Sequence, residues 1–433
     1  MGYSQALSGL GAASDELDTV GNNIANSSTY GFKSGSVMFA DMYANSVANA
    51  VTPNAGIGVR NAGVQQNFGQ GTFTTTANPY DVAINGNGFF RMSVNGVIEY
   101  SRNGQFHSDP NGYIVNAEGA NLTGYPANGN GAVSTTTPVP LRIDVSGIAP
   151  VQSTTISSNG VNLDSSQAYP KTTPFDPTDS TSYSYTTQAT AYDSLGNAHQ
   201  MTMYFVRDPQ PTPPVTPATV NFSVYAAEDG TLVPPTPPAT TAGLVGDLQF
   251  NSAGSLTSFV DANGNVGTGS AAYSVSMSLS SATGSNTPFP VTLDLQGATA
   301  YAGIGNSAAL NADGNKAGNY AGVKILDDGT VEGVYDNGSN KVFGKIVLAN
   351  FINPNGLKPV GDNEWVATND SGPADLGTPG TGPMGSLLSE QLENSNVNLT
   401  SNLVDLITTQ RFYQANAQSI KTQNTVDQTL LNM

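Results

Sequence analysis

Both ends of the chain carry the same narrow apolar rhythm, and this restricts the fold more than any other feature of the sequence. Ala6, Leu10, Ala13, Leu17, Val20 and Ile24 recur at alternating intervals of four and three. Leu10, Leu17 and Ile24 therefore occupy one core position of a heptad, and Ala6, Ala13 and Val20 the other. At the far end Leu399, Leu403, Leu406, Gln410, Tyr413, Ala417, Ile420, Asn424 and Leu431 keep the same rhythm, interrupted by Asp427. Residues 397–432 contain neither Gly nor Pro, which predicts a long terminal helix. Burying Leu10, Leu17, Val20 or Ile24 gains roughly 1.5–3 kcal/mol each. Ordering the backbone costs about 1–2 kcal/mol for every residue. A stripe this thin holds no helix alone, so each terminus needs helical neighbours on more than one side. Copies of the same chain would supply them.

Between about residues 67 and 385 the sequence changes character. Short runs of Val, Ile, Thr, Tyr and Phe are separated by Asn-Gly and Asp-Gly pairs, as at Asn95-Gly96, Asn111-Gly112, Asp229-Gly230 and Asn337-Gly338. Asn and Asp tolerate positive φ and Gly adopts it freely, so these pairs predict tight hairpins. The fold class expected is mainly β: nested, discontinuous β-sandwich or barrel-like domains with α-helical coiled-coil N- and C-termini. Two proline-rich patches, at 209–217 and 234–238, read as stiff surface loops. If the ends pair, the chain must run outward and return, which nests one domain inside another. The expected divisions are a terminal helical domain (1–30 and 393–433), an extended connecting region (31–70 and 369–392), an inner β domain (71–147 and 319–368) and a distal β domain (148–318).

Composition removes several functional classes. Formal charge is −18, with 32 acidic and 14 basic residues, which argues against nucleic acid as a partner. No apolar run reaches the roughly 18 residues of a membrane-spanning helix, so no membrane insertion is expected. With no cysteine there is no thiol catalysis and no thiolate metal site. His107 and His199 stand far apart in turn-rich polar settings and are expected to be solvated strand ends. Asp261-Ala262-Asn263-Gly264-Asn265 and Asp313-Gly314-Asn315 lack the full calcium-loop spacing and read as β-turns. Trp365 reads as a core anchor. No catalytic residue, metal ligand or cofactor is expected, and the chain is not expected to be an enzyme.

Two motifs remain, one at each end. Gly21-Asn22-Asn23-Ile24-Ala25-Asn26 is followed by Thr29-Tyr30-Gly31-Phe32-Lys33. Near the C-terminus stand Leu392-Glu393-Asn394-Ser395-Asn396-Val397 and Gln410-Arg411-Phe412-Tyr413-Gln414-Ala415-Asn416-Ala417. Together they resemble the signatures of the flagellar axial proteins, the family of rod, hook and hook–filament junction subunits. Within the family, residues 81–90 are similar to a segment shared by hook and distal-rod members, whereas 100–106, 122–126, 192–199 and 346–351 are more similar to hook members. Asn398 departs from the family, which often has Asp there.

The resemblance implies a structural subunit that polymerises helically with itself into the hollow, curved hook, the universal joint that carries motor torque to the filament. The heptad residues of both ends would form the polymer interface, lining the inner tube. It also implies an extracellular place in the hook–basal body and type III export without a cleaved signal peptide. The partners implied are the distal rod, the hook cap, the hook–filament junction protein, the hook-length ruler and the export apparatus. Two alternatives remain open: a distal rod subunit, or a secreted β-rich adhesin or carbohydrate-active enzyme. The second leaves both terminal stripes unexplained.

Overall fold

The computed structural model describes residues 2–42, 58–129, 131–158, 160–209, 219–267, 273–279, 289–303 and 310–431. The proline-rich patch at 209–217 falls almost wholly outside them. Helix α1 (Gly2–Ala25) opens the chain and helix α2 (Leu399–Leu431) closes it. Asn398 caps α2 by accepting the Ser401 N–H at 3.1 Å, a neutral cap that serves without the family's carboxylate. The chain divides into two compact units, one of residues 1–145, 321–334 and 340–433 and the other of 146–320 and 335–339.

In the first unit, strands β1 (Gly35–Met42) and β2 (Gly58–Gln66) pair antiparallel and pack on α1. This segment was expected as an extended connector; it forms a two-stranded sheet packed on the helix, in which Val37 and Val59 are half-buried while Phe39 and Val64 stay exposed. A larger sheet has strands of the outgoing chain at its centre: Asn121–Pro126, Phe89–Val94 and Val97–Ser101. The returning chain flanks them, with Asn340–Ile346 on one side and Glu364–Val366 on the other. Ser386–Ser389 pairs with Val82–Asn85, and Gln391–Glu393 with Phe73–Thr75. In the returning stretch 369–392, also expected as a connector, residues 386–392 are thus bonded to the outgoing chain, and Asp375–Gly377 pairs with Leu348–Asn350. Edge-to-face contacts among Phe68, Phe89, Phe351 and Trp365 fill the space beneath. Trp365 is 2% exposed and its indole N–H donates to Gln66 Oε1 at 2.7 Å.

The second unit is a sandwich. A six-stranded sheet runs Tyr185–Tyr192, Ala198–Arg207, Val220–Glu228, Leu244–Phe250 and Leu256–Asp261, with Thr231–Leu232 beside the third. A four-stranded sheet contains Ser274–Leu279, Phe289–Asp294, Thr155–Ser158 and Leu310–Ala312. Alternation aims Met201, Met203 and Phe205, then Phe222, Val224 and Ala226, at Met277, Val291 and Leu293 in one shared core. Among the described residues no sheet closes, so the barrel-like alternative is corrected to a sandwich: the strand orders end in free edges. One pair, Thr155–Ser158 with Phe289–Asp294, is parallel, an exception to the antiparallel pattern expected.

Candidate polymer interface

The helices meet along a line of small and polar residues. Asn23 Nδ2 donates to Asn402 Oδ1 at 3.2 Å, and a Cβ on Gly9 would stand 2.9 Å from Asn416 Nδ2. These contacts lie fourteen residues apart on each helix, which fixes an antiparallel register two heptads long. On α2 the facing column is Asn402, Thr409 and Asn416, with Thr409 only 2% exposed. On α1 the buried residues are Ala6, Ala13, Val20 and Asn23, while Leu10, Leu17 and Ile24 are half-buried. Alanine and glycine let the two backbones approach closely, so short polar side chains suffice to fill the seam.

The apolar residues read as the α2 seam fall elsewhere. Leu406, Ala417 and Ile420 are half-buried, whereas Leu399, Leu403, Gln410, Tyr413 and Leu431 are exposed. Val404 and Phe412, both 57% exposed, extend the apolar surface, together with Ile407 and Val426. A helix that is apolar on its outer faces leaves much of its hydrophobic free energy unrealised in a single chain.

Below α1 the family motif builds a joint. Asn26 donates through Nδ2 to Asn22 Oδ1 at 2.8 Å, closing the last turn of the helix. Asn23 binds both backbone groups of Gly35, accepting its N–H at 2.9 Å and donating to its carbonyl at 2.8 Å. Asn396 accepts the Ser34 N–H at 2.8 Å and donates to the carbonyls of Asn67 and Gly69. Gly31 has φ +70°, and a Cβ there would lie 2.5 Å from the Asn103 nitrogen, so only glycine fits. Phe32 is half-buried beside it. Arg411 is exposed, with no ion pair among the described residues.

At the centre of the joint sit three buried charges that the sequence does not bring together. Glu393 accepts from Lys33 Nζ at 2.7 Å, Arg102 Nη1 at 3.3 Å and the Gly71 N–H at 2.8 Å. Lys33 also donates to the Gly69 carbonyl, and Arg102 to that of Gly86 while standing 5.4 Å over the Phe89 ring. Burial lowers the Lys33 pKa, Glu393 opposes that, and Arg102 adds to the lowering. Nearby, buried Glu364 accepts from Asn116 at 2.8 Å. Burial, a hydrogen bond with Glu99 and the charges of Glu99 and Glu118 push its pKa up to about 8. These effects favour the protonated acid at neutral pH.

Asp261 spends its oxygens on its own turn, at Asn263 and Asn265, whereas Asp313, expected in a β-turn, instead accepts from the backbone of Thr154 and Thr155 across the sheet. His107 is exposed. His199 is not the solvated strand end expected: it is 5% exposed, because it shares the inward parity of Met201, Met203 and Phe205.

Residues 5–33 match the family model for the flagella basal body rod protein, and 83–161 that for the flagellar hook protein FlgE/F/G D1 domain. Residues 162–315 match the flagellar basal body protein FlaE D2 domain, and 388–433 the C-terminal model of flagellar basal body rod FlgEFG proteins. The flagellar hook protein FlgE of Salmonella typhimurium is 43% identical over 440 residues, covering all of both chains. The chain belongs to the flagellar hook protein family. Its relative from Escherichia coli K12 is 42% identical over 438 residues, again across both full lengths. The hook protein of Borreliella burgdorferi is 30% identical over 463 residues, covering 99% of this chain and 98% of that one. The crystal structure of Helicobacter pylori flagellar hook protein FlgE2 has the same kind of fold, with a TM-score of 0.50 at 15% identity, over 74% of this chain and 100% of that one. Family membership gives the terminal motifs a place: they form the joint and the paired helices.

Proposed function

We propose that this chain polymerises helically into the hollow, curved hook and serves as its flexible torque-bearing wall, a structural rather than catalytic role. The observation that carries the reading is the outward-facing apolar surface of α2: Leu399, Leu403, Val404, Ile407, Phe412 and Tyr413. Neighbouring copies would cover it, turning two marginal helices into a continuous inner layer. The residues Ala6, Leu10, Ala13, Leu17, Val20 and Ile24 on α1, with Leu406, Gln410, Ala417, Ile420 and Leu431 on α2, complete that layer. The nested division into terminal, connecting, inner and distal parts assigns permanence to the helices and sliding contact to the β domains. A surface with only 11% charged residues and many small polar ones supports such sliding, since near-equivalent hydrogen bonds re-form at low cost. In this reading the distal rod lies below the polymer, the junction protein above, and the cap, the ruler and the type III export apparatus act during growth.

Deleting residues 399–433 tests it. Electron microscopy under polymerising conditions should show curved tubes from the full chain and none from the truncated one, while Trp365 fluorescence keeps its native form. Tubes formed without α2 would overturn the assignment.

A further inference from the structure

The sandwich of the second unit carries an ionic cluster on its core face. His199, second in the strand Ala198–Arg207, and Glu228, last in Val220–Glu228, both point inward and are 5% exposed. Asp229 follows with φ +50°, which turns its side chain back toward the imidazole. His199 Nδ1 lies 2.9 Å from Asp229 Oδ2 and 3.5 Å from Glu228 Oε1, and the three ligand atoms fall within 4.8 Å of one another. Behind the ring, Nε2 stands 3.6 Å from Oδ2 of the fully buried Asp193. The Phe289 ring, 6.1 Å away, closes the apolar side.

We propose that His199 Nδ1, Glu228 and Asp229 form a binding site for a divalent transition-metal ion, with Asp193 as the positioning residue for the imidazole. One nitrogen and two carboxylate oxygens suit Zn²⁺ or Mn²⁺ and disfavour Ca²⁺, which takes oxygens only. Ligands about 2.1 Å from a tetrahedral ion lie roughly 3.4 Å apart, so the two separations from Nδ1 need only sub-ångström adjustment. Asp193, 3.6 Å from Nε2, needs a shift of only a few tenths of an ångström to accept the second imidazole hydrogen bond that fixes the tautomer and the ring's direction in metal-bound histidines. Asp229 is half in solvent (54% exposed), which gives the ion an entry path and leaves its fourth position to water. The turn after Tyr185–Tyr192, which carries Asp193, and the Asp229-Gly230 turn would be tied together at one end of the sheet. Neither turn resembles a metal motif in sequence, because the ligands gather across strands.

The test titrates Zn²⁺ into chelator-treated, full-length free subunit by calorimetry, with Co²⁺ as a visible-absorption reporter of ligand geometry. The expected result is one saturable Zn²⁺ per chain, with a d–d spectrum on Co²⁺ loading. Asp229→Asn keeps the Oδ1 acceptor that holds the Gln200 N–H at 2.8 Å, so the turn survives while affinity falls at least tenfold. Asp193→Asn should weaken binding about 10–100-fold and alter the Co²⁺ spectrum. His107→Asn, at the exposed histidine, should change nothing. Absence of saturable binding, or Zn²⁺ affinity unmoved by Asp229→Asn and Glu228→Gln, overturns the proposal and leaves the cluster as an imidazolium held by carboxylates.

Discussion

Replacing Glu393 with glutamine removes the one anion between two buried cations and leaves the shape of the joint unchanged. Lys33 and Glu393 have fully buried side chains, and that of Arg102 is 4% exposed. The favourable contacts run over 2.7 and 3.3 Å, and the cost they offset is the desolvation of both cations, several kcal/mol per ion. Without Glu393 the two respond differently. Lys33 can lose its proton, a route that burial already favours, and for a free lysine at pH 7 that costs about 4.8 kcal/mol. Arg102 cannot deprotonate, but it keeps the Gly86 carbonyl and the Phe89 ring face. A loss of about 3–5 kcal/mol in unfolding free energy follows, the range for buried pairs deprived of one partner.

The assay is urea unfolding of the free subunit followed by fluorescence of Trp365, the chain's single tryptophan, which lies in the same unit. The midpoint should fall at unchanged slope. Lys33 supplies an internal check. Without its raising partner, its folded-state pKa drops further below the unfolded value near 10.5. The unfolded chain then binds more protons, so stability withheld at neutral pH returns as pH climbs from the lowered pKa toward 10.5. Glu393→Gln should therefore recover part of its loss by pH 9.5, and Lys33→Met in the same background should recover it at pH 7. A loss below about 1 kcal/mol, independent of pH, would refute the claim that this triad is desolvated.

Two further outcomes concern the same unit. Glu364 has a folded pKa of about 8 against 4.5 unfolded, so its contribution is fully present below pH 4.5 and is lost as pH rises through 8. Glu364→Gln should flatten stability between pH 5 and 8.5 and stabilise the subunit at pH 8.5 by on the order of 2–3 kcal/mol, read by thermal unfolding at each pH. Gly31→Ala places a methyl 2.5 Å from backbone at φ +70°, and should cost more than about 2 kcal/mol in the same Trp365 assay.

Much of this architecture was legible because it is periodic. Heptad spacing predicts both helices, and alternation from Met201 to Phe205 predicts a core-facing strand. What escaped is what periodicity cannot encode. Lys33, Arg102 and Glu393 all lie within quoted motifs, yet their contact spans 291 and 360 residues of sequence, and no local rule pairs them. His199 keeps the parity of its apolar neighbours, a sign of burial that the adjacent Leu195-Gly196-Asn197 turn hides. The seam of α2 was sought among leucines, whereas Asn402, Thr409 and Asn416 occupy it. Hydrophobicity marks what a helix must bury eventually, and in an assembling chain that need not be what it buries at home.

That distinction between home and assembly can be measured. Ile407 and Phe412 are 51% and 57% exposed, while Thr409 between them is 2% exposed. Ile407→Asn and Phe412→Ser remove apolar surface that meets solvent in the single chain, so free-subunit stability should change by less than about 0.5 kcal/mol. In a polymer the same side chains would each bury enough area to be worth roughly 1.5–3 kcal/mol, repeated at every subunit. The critical concentration for polymerisation should therefore rise at least tenfold for either variant, measured by sedimentation of tubes. Thr409→Asp should do the reverse at the level of the monomer, opening the helix pair and lowering helical circular dichroism. If Ile407→Asn instead destabilises the free subunit by more than 1 kcal/mol and leaves the critical concentration unchanged, the outer face of α2 belongs to the chain's own core.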